Sequence, residues 1–254
     1  MTLPRTPSFR LDGKRALVTG GTRGIGLGAA VALAEAGAAV TIAARTAEDI
    51  GRVVNEMAAA DLVAEGVAID ITDSDAVRSF VEEVEPFDIL VNCAGTARHS
   101  DFGDITPEAY RTVMDVNLGA TLFVSQAVVK KLVAAGRPGS IIHISSQMGH
   151  VGGPRRAVYA ASKHAVEGLT KAMAIELGPH TIRVNTVCPT FVETELTARN
   201  LSDPDFRSWV LSKIKLGRLG SVEDMMGPIV FLASDAAGLI TGTSLLVDGG
   251  WTAE

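Results

Sequence analysis

The chain has 254 residues, 47% hydrophobic and 20% charged, with 23 Lys and Arg against 29 Asp and Glu for a formal charge of −6. That length and apolar share suit an α/β chain with a sizeable core and exclude disorder. The acidic balance excludes the basic stripe that nucleic acid requires, and two cysteines, Cys93 and Cys188, are too few for a disulfide framework.

The opening segment MTLPRTPSFR has no apolar core and does not read as a secretory signal. RALVTG (15–20) is the first predicted strand, followed by an Ala-rich helix over 24–36 that Gly37 ends. A strand over 38–44 and a helix over 46–59 come next. The longest apolar stretch, 27–44, is broken by Glu35 and Gly37, so it reads as helix then strand rather than as a membrane span. A third strand closes 63–70, and Thr72 or Asp73 caps the helix after it. FDILVNCAG (87–95) is the fourth strand running into a turn. A helix over 107–135 starts after Thr106 with Pro107 in its first position. GSIIHISS (139–146) is the fifth strand, 157–177 a helix and 181–189 the sixth strand. The segment 190–216 reads as an irregular loop, and long loops of this kind more often serve function than scaffolding. A helix over 221–234 and a strand near 243–248 complete the chain.

Strands apolar on both faces and alternating with helices predict a parallel sheet covered on each side. No linker divides the chain. The expectation is one doubly wound, Rossmann-type α/β domain over 1–254, with about seven strands and a substrate loop near 190–216.

Two constellations carry chemistry. Thr19-Gly20-Gly21-Thr22-Arg23-Gly24-Ile25-Gly26 joins the first strand to the first helix, and its glycines at 20, 24 and 26 let backbone approach a pyrophosphate at a helix N-terminus. At the end of the second strand, an acidic residue would bind a ribose hydroxyl and repel a 2′-phosphate. This chain has Arg45 there, with Arg23 in the glycine turn, so NADP(H) is the expected cofactor and NAD(H) the alternative. The second constellation is Tyr159-Ala-Ala-Ser-Lys163 on a predicted helix, with Ser146 at the end of the fifth strand. Tyr and Lys four residues apart share a helix face. An ammonium beside a phenol favours the phenolate, which suits proton exchange with a substrate oxygen near neutral pH.

On these residues the sequence resembles the short-chain dehydrogenase/reductase family over nearly its whole length. The family's T-G-x-x-x-G-x-G stands at 19–26, its N-N-A-G as Asn92-Cys93-Ala94-Gly95, its Y-x-x-x-K at 159–163 and its helix asparagine at Asn117; the tail 231–250 also matches. The resemblance implies that Tyr159 is the general acid/base and that Lys163 holds the nicotinamide ribose. Ser146 would orient the carbonyl, and Asn117 would support a relay water. The cofactor would be lined by Gly20, Thr22, Arg23, Gly24, Ile25, Gly26, Asn92, Ala94 and Gly95. Asp70 and Ile71 would flank the adenine, and Pro189, Val192 and Thr194 the nicotinamide. Cys93 replaces the second Asn of the motif, and Thr190 stands where the family usually has Gly. The family's members are usually homotetramers.

The five histidines show no ligand spacing, so no metal site is expected. His150, Arg155 and Arg156 lie between Ser146 and Tyr159, and Arg98-His99 follow the fourth strand. Both loops leave carboxyl ends of strands, where this fold binds ligands, so His150 joins Ser146 and Tyr159 as a substrate candidate. The reading is a cytoplasmic oxidoreductase interconverting a ketone and a secondary alcohol, with a small polar ketone, sugar acid or polyol as substrate and neither nucleic acid nor membrane as partner. A 3-oxoacyl-thioester reductase and a catalytically silent nucleotide-binding protein stay open as alternatives.

Overall fold

The computed structural model describes residues 2–253, and its strands carry apolar side chains on alternating sides. In β1 (Arg15–Thr19), Ala16 and Val18 enter one core and Leu17 the other. In the same way β2 (Ala39–Ala44) separates Val40 and Ile42 from Ala43, and β4 (Ile89–Asn92) separates Ile89 and Val91 from Leu90. β5 (Gly139–Ile144) splits Ile142 and Ile144 from Ile141. This period of two leaves both sheet faces apolar, so helices must cover both.

The cover comes from helices on each side of the sheet. On the first face lie α1 (Gly24–Glu35), α2 (Ala47–Ala59) and α9 (Glu223–Ala233), contributing Ala29, Leu33, Val53, Met57, Ile229 and Leu232. On the second lie α3 (Ser74–Glu83), α5 (Thr121–Ala134) and α6 (Ala157–Leu177), contributing Val77, Val81, Val124, Val128, Leu132 and Ala174. Asp73 caps α3, accepting from Asp75 N and Ala76 N, whereas Thr72 turns its hydroxyl to Asp70.

With β3 (Ala64–Ala68), β6 (Ile182–Pro189) and β7 (Ser244–Val247), the sheet has seven parallel strands in the order β3-β2-β1-β4-β5-β6-β7. From β1 the chain winds outward to β3, and from β4 outward to β7. The connections therefore part company between β1 and β4, opening a crevice at the carboxyl ends of those strands.

Two expectations need correction. The helix predicted over 107–135 is α4 (Pro107–Met114), a π turn (Asp115–Ala120) and then α5. The run Pro107–Ala134 is long and apolar enough to cross a membrane, but its inner stripe is buried in the second core. The π turn at Asn117 is a single widened turn of the type that recurs at functional sites. Segment 190–216 is also not an irregular loop: it forms α7 (Glu195–Leu201) and α8 (Pro204–Lys213). A capping box between Thr194 and Thr197 starts α7, and Asp203 with Pro204 at the first position starts α8. Their apolar residues pack in a small third core of Phe191, Leu201, Val210, Ile214 and Leu219 rather than on the sheet. Partners that lie outside the segment, Leu219 and Trp251, hide this order from a local reading.

Candidate active site

The site starts from two turns stitched together. Thr19 Oγ1, at the end of β1, accepts from Cys93 N (3.1 Å) and Ala94 N (3.3 Å), just beyond β4. Gly20 has φ +68°, and a β-carbon there would stand 2.9 Å from Ala94 Cα. At Gly26 a β-carbon would run into the carbonyl oxygen of Gly20. The start of α1 and the two turns thus form a cradle of bare backbone, which fits a pyrophosphate approaching a helix N-terminus.

Below the cradle, Asn92 is buried and donates through Nδ2 to Ser125 Oγ (2.9 Å) and toward His143 Nδ1 (3.1 Å). An amide N–H only donates, so His143 accepts at Nδ1 and carries its proton on Nε2. Burial lowers the His143 pKa to about 4, keeping the ring neutral. Burial likewise raises the Cys93 thiol to about 12, which leaves it inert as a nucleophile.

Three elements converge beside this floor. Asn117, in the π turn, clasps the backbone of Thr96: Oδ1 accepts from Thr96 N (2.8 Å) and Nδ2 donates to Thr96 O (3.0 Å). The same Nδ2 donates to Ser162 Oγ (3.0 Å) on α6, and Ser162 Oγ donates to Tyr159 O (2.7 Å). Lys163 is 6% exposed, donates to Ile144 O (2.8 Å) at the end of β5, and holds Nζ 5.8 Å from the Tyr159 ring centroid. Ser146, two residues past Ile144, accepts from Met148 N (3.1 Å) and donates to Gln147 Oε1 (2.7 Å). A buried ammonium, a phenol and a serine hydroxyl therefore share the carboxyl edge of β5, next to the cradle.

A family model described as enoyl-(acyl carrier protein) reductase matches residues 20–252. D-erythrulose reductase from Gallus gallus is 43% identical over 245 residues, covering 96% of this chain and 98% of its own. Gluconate 5-dehydrogenase from Gluconobacter oxydans is 39% identical over 248 residues, 96% of each chain. The crystal structure of a gluconate 5-dehydrogenase from Burkholderia cenocepacia J2315, in complex with NADP and tartrate, superposes with a TM-score of 0.94 at 38% identity, over 97% of this chain and 98% of that one.

The chain belongs to the short-chain dehydrogenase/reductase family.

It is an NAD(P)-dependent oxidoreductase of the class that interconverts ketones and secondary alcohols. In this short-chain dehydrogenase/reductase, Asn117 and Tyr159 are linked through Ser162, Lys163 holds Ile144 O, and Ser146 lies two residues past Ile144. Thr22, Gly24 and Ile25 follow the same turn as Gly20, and Gly95 lies against Asn117, where a β-carbon would stand 3.4 Å from Oδ1. Asp70 binds Thr72 N (2.9 Å) and Thr72 Oγ1 (2.7 Å); these bonds, aided by the charge of Arg45, hold its carboxyl below the ordinary range against burial. Ile71 is half-buried beside it. Pro189 ends β6, Val192 bridges to Gly220, and Thr194 caps α7 within reach of the glycine turn, 3.4 Å from where a β-carbon of Gly24 would stand.

Two candidates make contacts that the motifs did not suggest. Arg45 is exposed at the end of β2, and Arg23 Nη1 pairs with Glu195 Oε2 at 3.3 Å across to α7. His150 turns toward Glu167 (Nε2 to Oε1, 3.8 Å), one turn beyond Lys163 on α6. Folding thereby brings His150, Glu167 and Cys188 together with ligand atoms within 4.8 Å, a juxtaposition that no sequence spacing announces. The Glu167 carboxylate is already held by Ser244, Thr186 (3.1 Å) and Cys188 (3.3 Å); although burial opposes it, hydrogen bonds keep its pKa below the ordinary value. Sequence reasoning missed Ser162, His143 and Gln147. Ser162 alone had a local signal, since it falls inside the Tyr-to-Lys motif and three residues place it over Tyr159.

Proposed function

We propose that the enzyme reduces the ketone of a small polyhydroxylated substrate, and oxidises the matching alcohol, with Tyr159 exchanging the proton and NADP(H) as cofactor. The observation that carries this reading is the buried chain Asn117–Ser162–Tyr159, closed by Lys163 on Ile144. Relatives named for erythrulose and gluconate support the small polar substrate class. Lengthwise the chain matches those relatives, which fits one cofactor-binding domain over 1–254.

The bare cradle at Gly20 and Gly26 fits the cofactor's pyrophosphate. Thr22, Arg23, Gly24 and Ile25 would hold it there, with Asn92, Ala94 and Gly95 beneath. Asp70 and Ile71 would take the adenine side, Arg45 the 2′-phosphate, and Pro189, Val192 and Thr194 the nicotinamide side. When bound, the nicotinamide supplies the hydride that adds to the carbonyl carbon, or accepts it in the reverse direction.

The chain's own groups handle the oxygen. Ser146 turns its hydroxyl from Gln147 to the substrate carbonyl and orients it. Tyr159 donates its phenolic proton as negative charge develops on that oxygen, and the Lys163 ammonium stabilises the phenolate left behind. Asn117 keeps Tyr159 in register through Ser162, and a water at Asn117, as in the family, returns the proton. Acting in the cytoplasm as a homotetramer completes the proposal. Leu239 and Leu246, exposed near the carboxyl end, are apolar surface that such an assembly would cover.

Following NADPH absorbance with D-erythrulose, L-xylulose and 5-ketogluconate tests the reading. Tyr159→Phe should lower kcat by about 10² to 10⁴ while NADPH still binds. Undiminished turnover in that variant would remove Tyr159 from the proton step.

A further inference from the structure

Arg156 is a buried cation, and the acidic group whose charge reaches it is the Tyr159 phenol. It precedes α6, three residues before Tyr159, and is 9% exposed. Among the described residues no carboxylate pairs with it. Its neighbours are His99, whose Nε2 stands 3.1 Å from Nη1, and Phe191, whose ring centroid lies 5.1 Å from Cζ. The adjacent Arg155 takes a left-handed backbone (φ +60°), costly for a residue with a β-carbon, and points outward to Asp101 at 3.5 Å. Two consecutive arginines therefore part, one to solvent and one inward.

The inward one has donors to spare. A guanidinium offers five N–H groups, and His99 takes one. Among the described residues the Nε and Nη2 atoms have no protein partner, yet neither is sealed from solvent, so the remaining fork can still take an acceptor. His99 cannot supply negative charge: it accepts through Nε2 and is kept neutral, its pKa lowered to about 4 first by burial and then by Arg156 and Arg155. The groups around this opening come from three loops at the carboxyl edge of the sheet, after β4 (His99), after β6 (Phe191) and before α6 (Arg156, Tyr159). Burying a lone cation is unfavourable unless an anion joins it, and a planar fork matches a carboxylate.

We propose that Arg156, backed by His99 and seated on Phe191, is a carboxylate subsite, so that the ketone reduced here belongs to a sugar acid or similar hydroxy acid rather than to a neutral sugar. The proposal rests on the substrate class given above and narrows it.

D-Gluconate and D-glucitol are the probes, since they differ at one end by carboxylate against hydroxymethyl. Titrated calorimetrically onto the NADPH-loaded enzyme, where neither alcohol can be oxidised, gluconate should bind at least about tenfold tighter than glucitol. Arg156→Met, which keeps the stem and drops the charge, should erase that difference and leave glucitol within threefold. Arg156→Lys should retain part of it, and serves as the second variant if the first fails to fold. Equal binding of the two probes to the native enzyme overturns the subsite, and so does a gluconate advantage that survives Arg156→Met. A fall in kcat on neutral ketose and ketoacid alike, with gluconate binding unchanged, makes Arg156 a positioning residue for Tyr159 and also overturns it. Turnover of D-erythrulose that is lost in Tyr159→Phe keeps the oxidoreductase reading intact in either case. If NADPH does not bind, that reading fails first, and the same titration on the chain alone still decides the subsite.

Discussion

Asn117 Nδ2 and Ser162 Oγ meet at 3.0 Å, both almost fully buried, and tie the widened turn before α5 to the first turns of α6. Because Ser162 passes its own proton to the Tyr159 carbonyl, the bond fixes how the tyrosine turn sits relative to Asn117. Ser162→Ala would leave one buried N–H of Asn117 without an acceptor, a loss of about 1–3 kcal/mol. We expect a lower unfolding temperature and a kcat reduced on the order of tenfold by the misplaced proton donor, with the KM for NADPH little changed. Thermal unfolding and steady-state kinetics of the single variant check both halves.

Cofactor choice should turn on Arg45, and cofactor affinity also on the pair Arg23–Glu195. Charge-assisted bonds to a phosphate contribute about 1.5–3 kcal/mol, so Arg45→Asp should shift the NADPH-to-NADH ratio of kcat/KM by about 10- to 100-fold toward NADH. Glu195 competes for Arg23, but both side chains are mostly exposed, at 72% and 75%. A surface pair of this kind contributes at most about 1 kcal/mol, so Glu195→Gln should tighten both cofactors by less than about fivefold and leave their ratio little changed. Parallel titrations with the two cofactors read these ratios directly. An unchanged ratio in Arg45→Asp would remove that residue from cofactor discrimination.

Acid should destabilise the fold in a window set by histidine. Buried His143 stays neutral down to about pH 4, whereas in the unfolded chain it protonates near 6.5. Its folded pKa is depressed, so between these values the unfolded state binds the extra proton, and stability falls as pH falls. The contribution is about 3 kcal/mol in full. His99, half-buried and shifted the same way, adds to the slope. Denaturant unfolding from pH 7 to pH 4 should show this decline, and His143→Gln, which can still accept from Asn92, should flatten it. A slope identical in the variant would place the acid sensitivity elsewhere.

Much of the fold could be read along the chain because its signals are local. Helix 157–177 is reproduced residue for residue, since its apolar stripe and its boundaries are written within the segment. Strands such as Arg15–Thr19 end within a residue of the apolar run that defines them. By contrast, α7 and α8 do not stand out along the chain, because their apolar side chains pack with Phe191, Leu219 and Trp251 in a core of their own rather than on the sheet.

The same division runs through the site. Sequence by itself determined the glycine turn, the Tyr159–Lys163 pair and the residues at strand ends, because four-residue spacing on a helix and a strand–turn–helix junction are fixed by backbone geometry alone. Only the tertiary structure decided that Arg156 faces His99, 57 residues away, while Arg155 faces out; that Arg23 reaches Glu195; and that His150 turns to Glu167. Those outcomes depend on the paths of loops packed against one another across the sheet, and there hydrogen bonding, burial and charge act between residues whose separation in sequence carries no information about their separation in space.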